Sequence, residues 1–441
     1  MELKFKTDGI RGIVQKEITP DLFYKIGCFL GANSNLVVVG KDTRRSGDLY
    51  CRALINGIIS CGADVFELGV CVTPSLSFLT KHYSANYGVM ITASHNPTEY
   101  NGIKVFDTNG DKIDNSIKEK INKLINDNSF IPMYKEDIGR IYDKSSSLID
   151  IYLKSMFEEF DLDNLFDCSF LIDGSNGGGY KLLPALLNGF SINDFIKIGC
   201  SPDGENINLN VGSLHIHEKM QLLKKYACNF GFALDGDGDR LIGITPNTVL
   251  DGDVLSYIII KNNLEQYKTG CVITPLTNRR IKKYLEELNI NVYQSDVGDQ
   301  NVYLKMKETG ALIGFEKSGH ILFNDHPCDG LYSLCNFLLT YRNHKNEVKK
   351  DLQNLKVNPS KLINIKSGDL EKVKHLLSNS NLKEEVYKRL KDDGYLFIRE
   401  SGTEKLLRIY LESKDKNDLD RAESYLLEKV KGYVWNSWSS K

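Results

Sequence analysis

The chain alternates regularly between apolar runs and polar turns. The runs at residues 36–39, 170–172, 230–234 and 271–274 are rich in β-branched and aromatic side chains, and polar turns follow them. Continuous apolar runs of this length are typical of parallel strands covered on both faces. Helix-like stretches lie between them, so the pattern predicts α/β units. Since ligands bind at the carboxyl ends of such strands, the polar turns are where we expect the chemistry.

The pattern changes near the C-terminus. Residues 342–361 are polar with few large apolar side chains, which predicts a surface connection and a domain boundary. Beyond it, residues 395–398 and 406–411 predict two strands around a short loop, and residues 419–430 place apolar side chains on one face of a helix. This part is therefore predicted to be a small α+β domain.

Length and composition narrow the class of protein. A chain of 441 residues is expected to hold three or four domains. Hydrophobic residues make up 41% and charged residues 26%, which is typical of a globular protein, and the formal net charge of −2 argues against a dedicated nucleic-acid binder. No apolar run approaches the roughly 18 residues that cross a bilayer, and the N-terminus has no apolar signal core. We therefore expect a soluble, cytoplasmic protein.

The ten cysteines do not suggest disulfides or zinc. No two of them form a Cys-x-x-Cys pair, and most follow or interrupt apolar runs. A disulfide framework belongs to small secreted domains, and a structural zinc site needs close ligand pairs. We predict that the cysteines are small buried residues.

The densest acidic motif follows the apolar run at 230–234. Asp235, Asp237 and Asp239 alternate with glycines, and Arg240 follows. In an extended backbone alternate side chains point to one side, so the three carboxylates are expected to converge. A bound cation would offset the repulsion between these carboxylates, and a site with only oxygen ligands favours Mg²⁺. An EF-hand does not fit, because Arg240 stands where that loop requires glycine; a solvated acidic turn is the alternative.

A second motif, residues 92–97, follows the apolar run at 88–91. It contains Ser94 and His95, and Lys104 lies shortly after it. One interpretation is a turn in which Ser94 caps backbone amides. The other is that Ser94 is a nucleophile or phosphate carrier, with Lys104 as a cation or acid–base group beside a phosphoryl group. The motif Gly-x-Ser-x-Gly is missing here, so a serine hydrolase is not predicted.

Two further polar loops offer groups for a ligand. Residues 399–404 with Arg408 supply two arginines, two hydroxyls and a glycine, which predicts an oxyanion cradle; a polar hairpin loop is the alternative. Glu316, Ser318 and His320 follow a strand-like run. A carboxylate, a hydroxyl and an imidazole together suit sugar hydroxyls and proton transfer.

Five of these motifs, in this order, resemble those of the α-D-phosphohexomutases over essentially the whole chain. The phosphate-contact, phosphoserine, metal, sugar and phosphate loops of that family are similar to residues 7–12, 92–97, 235–240, 316–320 and 399–403. The resemblance implies an α/β fold with a central cleft, in which three related α/β domains with mixed, largely parallel sheets are joined to a small C-terminal α+β domain. The expected domain ranges are 1–150, 151–250, 251–356 and 357–441.

The resemblance also implies roles for individual residues. Ser94 carries the phosphoryl group, and the three aspartates hold Mg²⁺ together with a phosphoserine oxygen. Lys104, His320 and Arg11 serve proton transfer and charge, and His95 is counted with them; which of them is the base stays open. The residues expected to bind substrate are Arg240, Glu316, Ser318, Arg399, Ser401, Gly402, Thr403 and Arg408.

The implied reaction moves a phosphoryl group within a hexose phosphate. Ser94 passes its phosphate to a hexose monophosphate, and the resulting hexose 1,6-bisphosphate returns its other phosphate to Ser94. The same bisphosphate is the expected activator. We expect a small phosphosugar as the only partner, with no nucleic acid or membrane, and a monomer or homodimer.

The choice of sugar rests on further similarities. Residues 201–208, 211–215, 297–299 and 328–330 are similar to the branch of the family that interconverts glucosamine 6-phosphate and glucosamine 1-phosphate, a step toward UDP-N-acetylglucosamine and peptidoglycan. The chain departs from the family pattern at several positions that bear on substrate choice, including Gln294, Gln300 and Phe315. The alternatives are a phosphoglucomutase or phosphomannomutase of the same family and, from another class, a metal-dependent sugar phosphatase.

Overall fold

The N-terminal part is built around a six-stranded sheet. The computed structural model describes residues 3–6, 8–127, 130–162, 168–324, 326–367, 370–400 and 406–431. The sheet has the order β1-β5-β4-β2-β3-β6. Strands β4, β2, β3 and β6 are parallel to one another, β5 is antiparallel to β4, and β1 is antiparallel to β5. Its elements are β1 Ile10–Ile13, α1 Pro20–Ala32, β2 Leu36–Lys41, α2 Ser46–Ser60, β3 Asp64–Val70, α3 Thr73–His82, β4 Tyr87–Ile91, β5 Tyr100–Phe106, α4 Asn115–Asn126 and β6 Ile141–Asp143.

A second sheet of five strands follows. Its order is β11-β10-β9-β7-β8, in which β8, β7 and β9 are parallel, β10 is antiparallel to β9, and β11 is antiparallel to β10. The elements are a π-helical turn Leu148–Leu153, α5 Lys154–Glu159, β7 Phe170–Asp173, α6 Leu182–Gly189, β8 Phe195–Ile198, a 3-10 turn Ile216–Lys219, α7 Met220–Lys225, β9 Phe230–Leu234, β10 Leu241–Ile244 and β11 Val249–Leu250.

A third sheet has four strands in the order β13-β12-β14-β15. The first three are parallel and β15 is antiparallel to β14. The elements are α8 Gly252–Asn262, β12 Cys271–Ile273, α9 Arg279–Glu287, β13 Val292–Gln294, α10 Asp299–Thr309, β14 Ile313–Phe315, β15 Ile321–Phe323, α11 Gly330–Asn343 and α12 Lys345–Asn354.

The C-terminal part is a three-stranded antiparallel sheet in the order β16-β18-β17, with helices against it. The two strands predicted around a loop are confirmed, and so is the buried face of the last helix, α15. The elements are β16 Ser360–Ile365, α13 Leu370–Ser378, α14 Ser380–Leu390, β17 Tyr395–Glu400, β18 Leu407–Glu412 and α15 Lys416–Val430.

The hydrophobic cores separate the C-terminal part from the rest of the chain. One large cluster of buried side chains runs through the first three sheets, and a separate cluster between residues 363 and 430 fills the C-terminal part. The predicted α/β class with mixed sheets is confirmed. The domain boundaries at 150, 250 and 356 stay a prediction. In the described ranges, no helix is both long and apolar enough to cross a membrane.

The polar stretch before the C-terminal part differs from its prediction. Much of the stretch 342–361, predicted as a surface connection, is helical, because it contains α12. Val348 is the only fully buried residue of that helix, Leu352 is partly buried against the core, and the other side chains are polar. Helices with so narrow an apolar stripe read as loops when only large apolar residues are counted. The prediction for the cysteines is confirmed: all ten are free, and only Cys200 is partly exposed.

Candidate active site

The loop that carries Ser94 follows β4 and meets the second sheet. Ser94 is buried and has a φ of 52°, a region that residues other than glycine seldom adopt. Its backbone N–H donates to the hydroxyl of Thr92 at 2.8 Å, and its Oγ donates to Asp235 Oδ2, also at 2.8 Å. The loop therefore presents the serine hydroxyl to the acidic motif, which comes from a different sheet.

The acidic motif follows β9 and is a turn, not the extended segment that the sequence predicted. Gly238 has a φ of 73°, and its N–H donates to Asp235 Oδ1 at 3.1 Å. The chain therefore folds back on itself. The carboxylates nevertheless converge: one oxygen each of Asp235, Asp237 and Asp239 lie within 4.8 Å of one another, and all three residues are buried.

A close approach of the two loops explains the glycine between the first two aspartates. A Cβ atom on Gly236 would lie 2.4 Å from the carbonyl oxygen of Ser94 and 2.9 Å from Asn208 Nδ2. Real side chains do not tolerate such contacts with backbone. Gly236 thus lets the serine loop lie directly on the acidic turn.

The donor set fits a hard divalent cation. Asp237 Oδ1 is buried and has no hydrogen-bond partner among the described residues. Burial, followed by the neighbouring Asp239 and Asp237 carboxylates, raises the pKa of Asp235 to about 7. Crowded buried carboxylates with a free oxygen are stabilised by a cation, and all-oxygen ligation suits Mg²⁺.

Lys104, on β5, supplies part of the positive charge in this cluster. Its Nζ lies 2.6 Å from Asp237 Oδ2 and 2.8 Å from Asp239 Oδ2. Burial lowers the pKa of Lys104, but the two carboxylates outweigh burial and the pKa lies above its ordinary value. Lys104 is therefore protonated, and its position suits charge neutralisation more than acceptance of a proton.

His320 links the acidic turn to the third sheet. It lies between β14 and β15, with Nδ1 2.9 Å from Glu316 Oε2 and Nε2 3.2 Å from Asp239 Oδ1; Arg240 Nε is 3.1 Å from Nε2. Burial and Arg240 lower the pKa of His320, but the carboxylates of Asp239 and Glu316 outweigh them and raise it to about 10. The imidazole is therefore charged.

In the loop predicted to hold a sugar, Glu316 already has hydrogen-bond partners within the protein. Glu316 is buried, its Oε1 accepts from the N–H of Gly298 at 2.9 Å, and its Oε2 contacts His320. Each carboxylate oxygen accepts more than one hydrogen bond, so Glu316 retains capacity for a ligand. Ser318 is exposed and lies at the tip of the same loop.

His95 and Arg11 both contact the serine loop. His95 Nδ1 is 3.4 Å from Ser94 Oγ, and burial, followed by the charges of Arg240 and Arg11, holds its pKa well below the usual range. The ring is therefore neutral. Arg11, on β1, donates to Asn96 Oδ1 at 3.2 Å, and its buried Nε has no hydrogen-bond partner in the described part of the chain.

The C-terminal sheet brings two arginines side by side. Arg399 of β17 is directly opposite Arg408 of β18. Burial, followed by the charge of Arg408, lowers the pKa of Arg399. Like charges opposite each other destabilise a sheet unless an anion lies between them. Ser401, Gly402 and Thr403, predicted for the same cradle, lie outside the described residues, as does Thr7 of the first motif.

The structure also adds residues that the sequence analysis did not single out. Thr73, the first residue of α3, contacts Asp237, and Asp42, Arg44 and Asn208 contact the serine loop. Asp42 and Arg44 lie in a polar turn after β2, where chemistry was expected. Their partners are distant in sequence, so no spacing rule points to them.

A buried serine beside three carboxylates, with paired arginines nearby, fits an enzyme that transfers phosphoryl groups. Three family models match the chain, all described as phosphoglucomutase/phosphomannomutase: alpha/beta/alpha domain I over residues 2–132, alpha/beta/alpha domain III over 251–357 and the C-terminal domain over 362–429. The chain belongs to this family, and the resemblance seen in the five motifs is confirmed. It is accordingly an enzyme of the isomerase class.

Curated relatives match over nearly the full length. The chain is 36% identical over 442 residues to a phosphoglucosamine mutase of Clostridioides difficile, covering 95% of this chain and 96% of the relative. It is 34% identical over 447 residues to a phosphoglucosamine mutase of Macrococcus caseolyticus, covering 98% and 99%.

Solved structures share the fold. A phosphoglucomutase/phosphomannomutase family protein of Burkholderia thailandensis superposes with a TM-score of 0.79 at 23% identity, over 97% of each chain. The N-acetylphosphoglucosamine mutase of Aspergillus fumigatus, solved with GlcNAc-6P and magnesium, has a TM-score of 0.69 at 15% identity, over 98% of this chain and 96% of that one.

Proposed function

We propose that this chain interconverts glucosamine 6-phosphate and glucosamine 1-phosphate through a phosphoserine at Ser94 and a 1,6-bisphosphate intermediate. The observation that carries the proposal is the 2.8 Å contact between Ser94 Oγ and Asp235, within a buried triad of carboxylates. A serine in that position can carry a phosphoryl group only where its negative charge is neutralised.

Asp235, Asp237 and Asp239 would hold Mg²⁺ together with an oxygen of phosphorylated Ser94. Bound there, the ion supplies positive charge to the phosphoryl group during transfer. The unpartnered Oδ1 of Asp237 and the crowding of three carboxylates support this assignment. Lys104 and Arg240 add fixed positive charge beside the triad.

The transfer itself is a displacement at phosphorus. The bond from phosphorus to Ser94 Oγ breaks, and a bond to the free hydroxyl of the hexose monophosphate forms. The proton of that hydroxyl needs a base. His95 is neutral and its Nδ1 lies 3.4 Å from Ser94 Oγ, so His95 can accept this proton and return it to Oγ as the bond to phosphorus breaks. His320 and Lys104 are charged, which suits proton donation and charge neutralisation. In the second half-reaction the bisphosphate returns its other phosphate to Ser94.

The phosphate group of the substrate that does not react needs a separate binding site. Arg399 and Arg408 are opposed across two strands, and their mutual repulsion favours binding of an anion. We assign the phosphate to them together with Ser401, Gly402 and Thr403, which follow Arg399 in the sequence. Glu316, Ser318 and Arg240 are assigned to the sugar and its reacting end.

The amino sugar is supported by the curated relatives, which are named phosphoglucosamine mutases. Glucose and mannose phosphates are the alternatives within the family. The proposed setting is the cytoplasm, consistent with ten unpaired cysteines, and the proposed assembly is a monomer or homodimer.

Turnover on three substrates tests the proposal. Mutase activity is measured on glucosamine 6-phosphate, glucose 1-phosphate and mannose 1-phosphate, with Mg²⁺ and a trace of the matching hexose 1,6-bisphosphate. A strong preference for the amino sugar is expected. Preference for glucose or mannose phosphate would move the chain to the other branch. Release of inorganic phosphate without any need for the bisphosphate would indicate a phosphatase.

A further inference from the structure

Arg44 is a buried arginine whose guanidinium donates mainly to backbone carbonyls of the Ser94 loop. It lies between β2 and α2, and its side chain has no exposed surface. Nη2 donates to the carbonyl oxygens of Ser94 at 2.9 Å and Asn96 at 2.7 Å, and Nη1 donates to those of Tyr100 at 2.9 Å and Pro97. Four bonds from one planar group therefore hold a loop of seven residues.

The fifth donor of Arg44 goes to a buried carboxylate. Nε donates to Asp42 Oδ2 at 2.9 Å, so every N–H of the guanidinium has an acceptor. The same carboxylate oxygen accepts from the Thr92 hydroxyl at 2.7 Å, and that hydroxyl accepts from the N–H of Ser94 at 2.8 Å. Asp42 thus neutralises Arg44 and reaches the backbone of Ser94 through one side chain.

A second side chain holds the same loop from the neighbouring sheet. Asn208 Nδ2 donates to the carbonyl oxygens of Ser94 at 2.9 Å and Asn96 at 3.1 Å, which are the two that Arg44 Nη2 also contacts. Asn208 comes from the segment that follows β8, whereas the serine loop follows β4. The two carbonyls are therefore held from two parts of the fold.

We propose that Arg44 and Asn208 are positioning residues that hold Ser94 at the transfer geometry, and we call them the carbonyl clamp. The proposal rests on the proposed function, in which Ser94 carries the phosphoryl group. A φ of 52° at Ser94 is strained, and such a conformation persists only where surrounding contacts over-determine it. The clamp supplies those contacts, and it aims Oγ at Asp235.

The clamp is expected to act on turnover and not on substrate binding. The Arg44 side chain contacts Asp42 and backbone carbonyls of the serine loop, and it is buried, so it is not available to a bound substrate. Loosening the loop misplaces the reacting oxygen but leaves the arginines of the C-terminal sheet unchanged. A small misplacement of reacting atoms lowers the rate far more than it lowers affinity.

The first test replaces Arg44 by Lys in the full-length protein. Lysine keeps a charge beside Asp42 but cannot reach four carbonyl oxygens at once. We expect kcat to fall about 100-fold and KM to stay within about twofold. Single-turnover phosphorylation of Ser94 by hexose 1,6-bisphosphate is expected to slow by the same factor. The matched control is Arg45→Lys, because Arg45 is 81% exposed and pairs with Glu205 at the surface.

A milder variant covers the case in which Arg44→Lys does not fold, as judged by thermal unfolding. Asn208→Asp removes the donor from the same two carbonyls and keeps a residue type that tolerates a φ of 58°. Its control is Asn210→Asp, a neighbouring asparagine with a φ of 55°. A fall in kcat at constant KM for Asn208→Asp alone supports the clamp.

Two results would overturn the proposal. One is wild-type kcat in folded Arg44→Lys or, where that variant does not fold, in Asn208→Asp; the other is a rise in KM with unchanged kcat. Failure of the proposed function looks different, because the wild-type protein itself would then show neither mutase turnover nor phosphate on Ser94 by mass spectrometry.

Discussion

Thr73 donates twice to Asp237. Its backbone N–H bonds to the carbonyl oxygen of Asp237 at 2.8 Å, and its hydroxyl bonds to Oδ2. Lys104 Nζ contacts the same Oδ2 at 2.6 Å. With two donors on Oδ2, the other oxygen, Oδ1, is the one left for a ligand. The start of α3 therefore orients a carboxylate of the acidic turn.

Replacing Thr73 by Val is expected to weaken Mg²⁺ binding about 10-fold or more, because partners that orient a metal ligand affect affinity on that scale. The measurement is calorimetric titration with Mg²⁺, together with the Mg²⁺ concentration for half-maximal turnover. Thr80→Val on the same helix is the control, since the Thr80 hydroxyl donates to the carbonyl of Leu76, within α3. Equal Mg²⁺ affinity in both variants would contradict the assignment.

Ser94→Ala separates transfer from binding. We expect turnover to fall on the order of 10³-fold or more, since the proposed mechanism passes the phosphoryl group through the Ser94 hydroxyl. Hexose phosphate should still bind, because Arg399 and Arg408 are unchanged. Turnover, substrate titration and a search for protein-bound phosphate are the measurements. Ser77→Ala, which removes a buried hydroxyl bonded to the carbonyl of Gly110, is the control. Retained turnover in Ser94→Ala would exclude a phosphoserine mechanism.

Gly236→Ala tests the contact between the serine loop and the acidic turn. The new methyl group would meet the Ser94 carbonyl at 2.4 Å, so the two loops must separate. We expect turnover to fall about 100-fold while the protein stays folded. Gly47→Ala is the control, because a Cβ at Gly47 meets its nearest neighbour at 3.4 Å. The two variants are compared by kcat and by thermal unfolding.

Some of this arrangement follows directly from the sequence. The apolar runs became β2, β7, β9 and β12, since strands buried on both faces leave a continuous apolar pattern. The sequence also predicts the last helix, α15, because its buried positions recur with helical spacing. The three aspartates could be grouped because they lie within five residues.

Other parts depend on tertiary structure. The acidic turn folds back at Gly238, so its carboxylates meet for a reason other than strand alternation. Arg44 binds carbonyls about 50 residues away, and Asn208 binds them across more than 110 residues. Backbone acceptors leave no mark in the sequence, so neither side chain could be assigned from it. Glu316 is similar in one of its contacts: its Oε1 accepts from the N–H of Gly298, and any residue but proline offers that group.

Asp253 gives the stability of the protein a pH dependence. It is buried on α8, its Oδ2 accepts from the N–H of Asn278, and its Oδ1 has no partner among the described residues. Burial, followed by the charge of Asp251, raises the pKa of Asp253 to about 7. The folded state therefore holds a proton that the unfolded chain releases near pH 4. This contribution to the free energy of unfolding is present below pH 4 and is lost as pH rises to 7.

Asp253→Asn removes this titration. Relative to wild type, the free energy of unfolding of the variant should rise between pH 4 and pH 8, by on the order of 2–4 kcal/mol. The free energies of unfolding of the two proteins are measured with denaturant at several pH values. The new amide can shift their difference by a constant amount, so the test is how that difference changes with pH. A difference that does not change with pH would show that Asp253 is ionised in the folded protein throughout this range.

Arg399 and Arg408 are paired directly across two strands of the C-terminal sheet. Because the two guanidinium groups are opposed across β17 and β18, the sheet without ligand is under electrostatic strain. Arg399→Met should therefore raise Tm in the absence of ligand and yet raise KM by about 10- to 100-fold, the loss expected for a charge-assisted contact with phosphate. Inorganic phosphate should raise Tm of the wild type and have less effect on the variant. Arg421→Met, at an ion pair with Asp418 on α15, is the control and should leave KM unchanged. A lower Tm with unchanged KM for Arg399→Met would mean that the two arginines stabilise the sheet and take no part in holding phosphate.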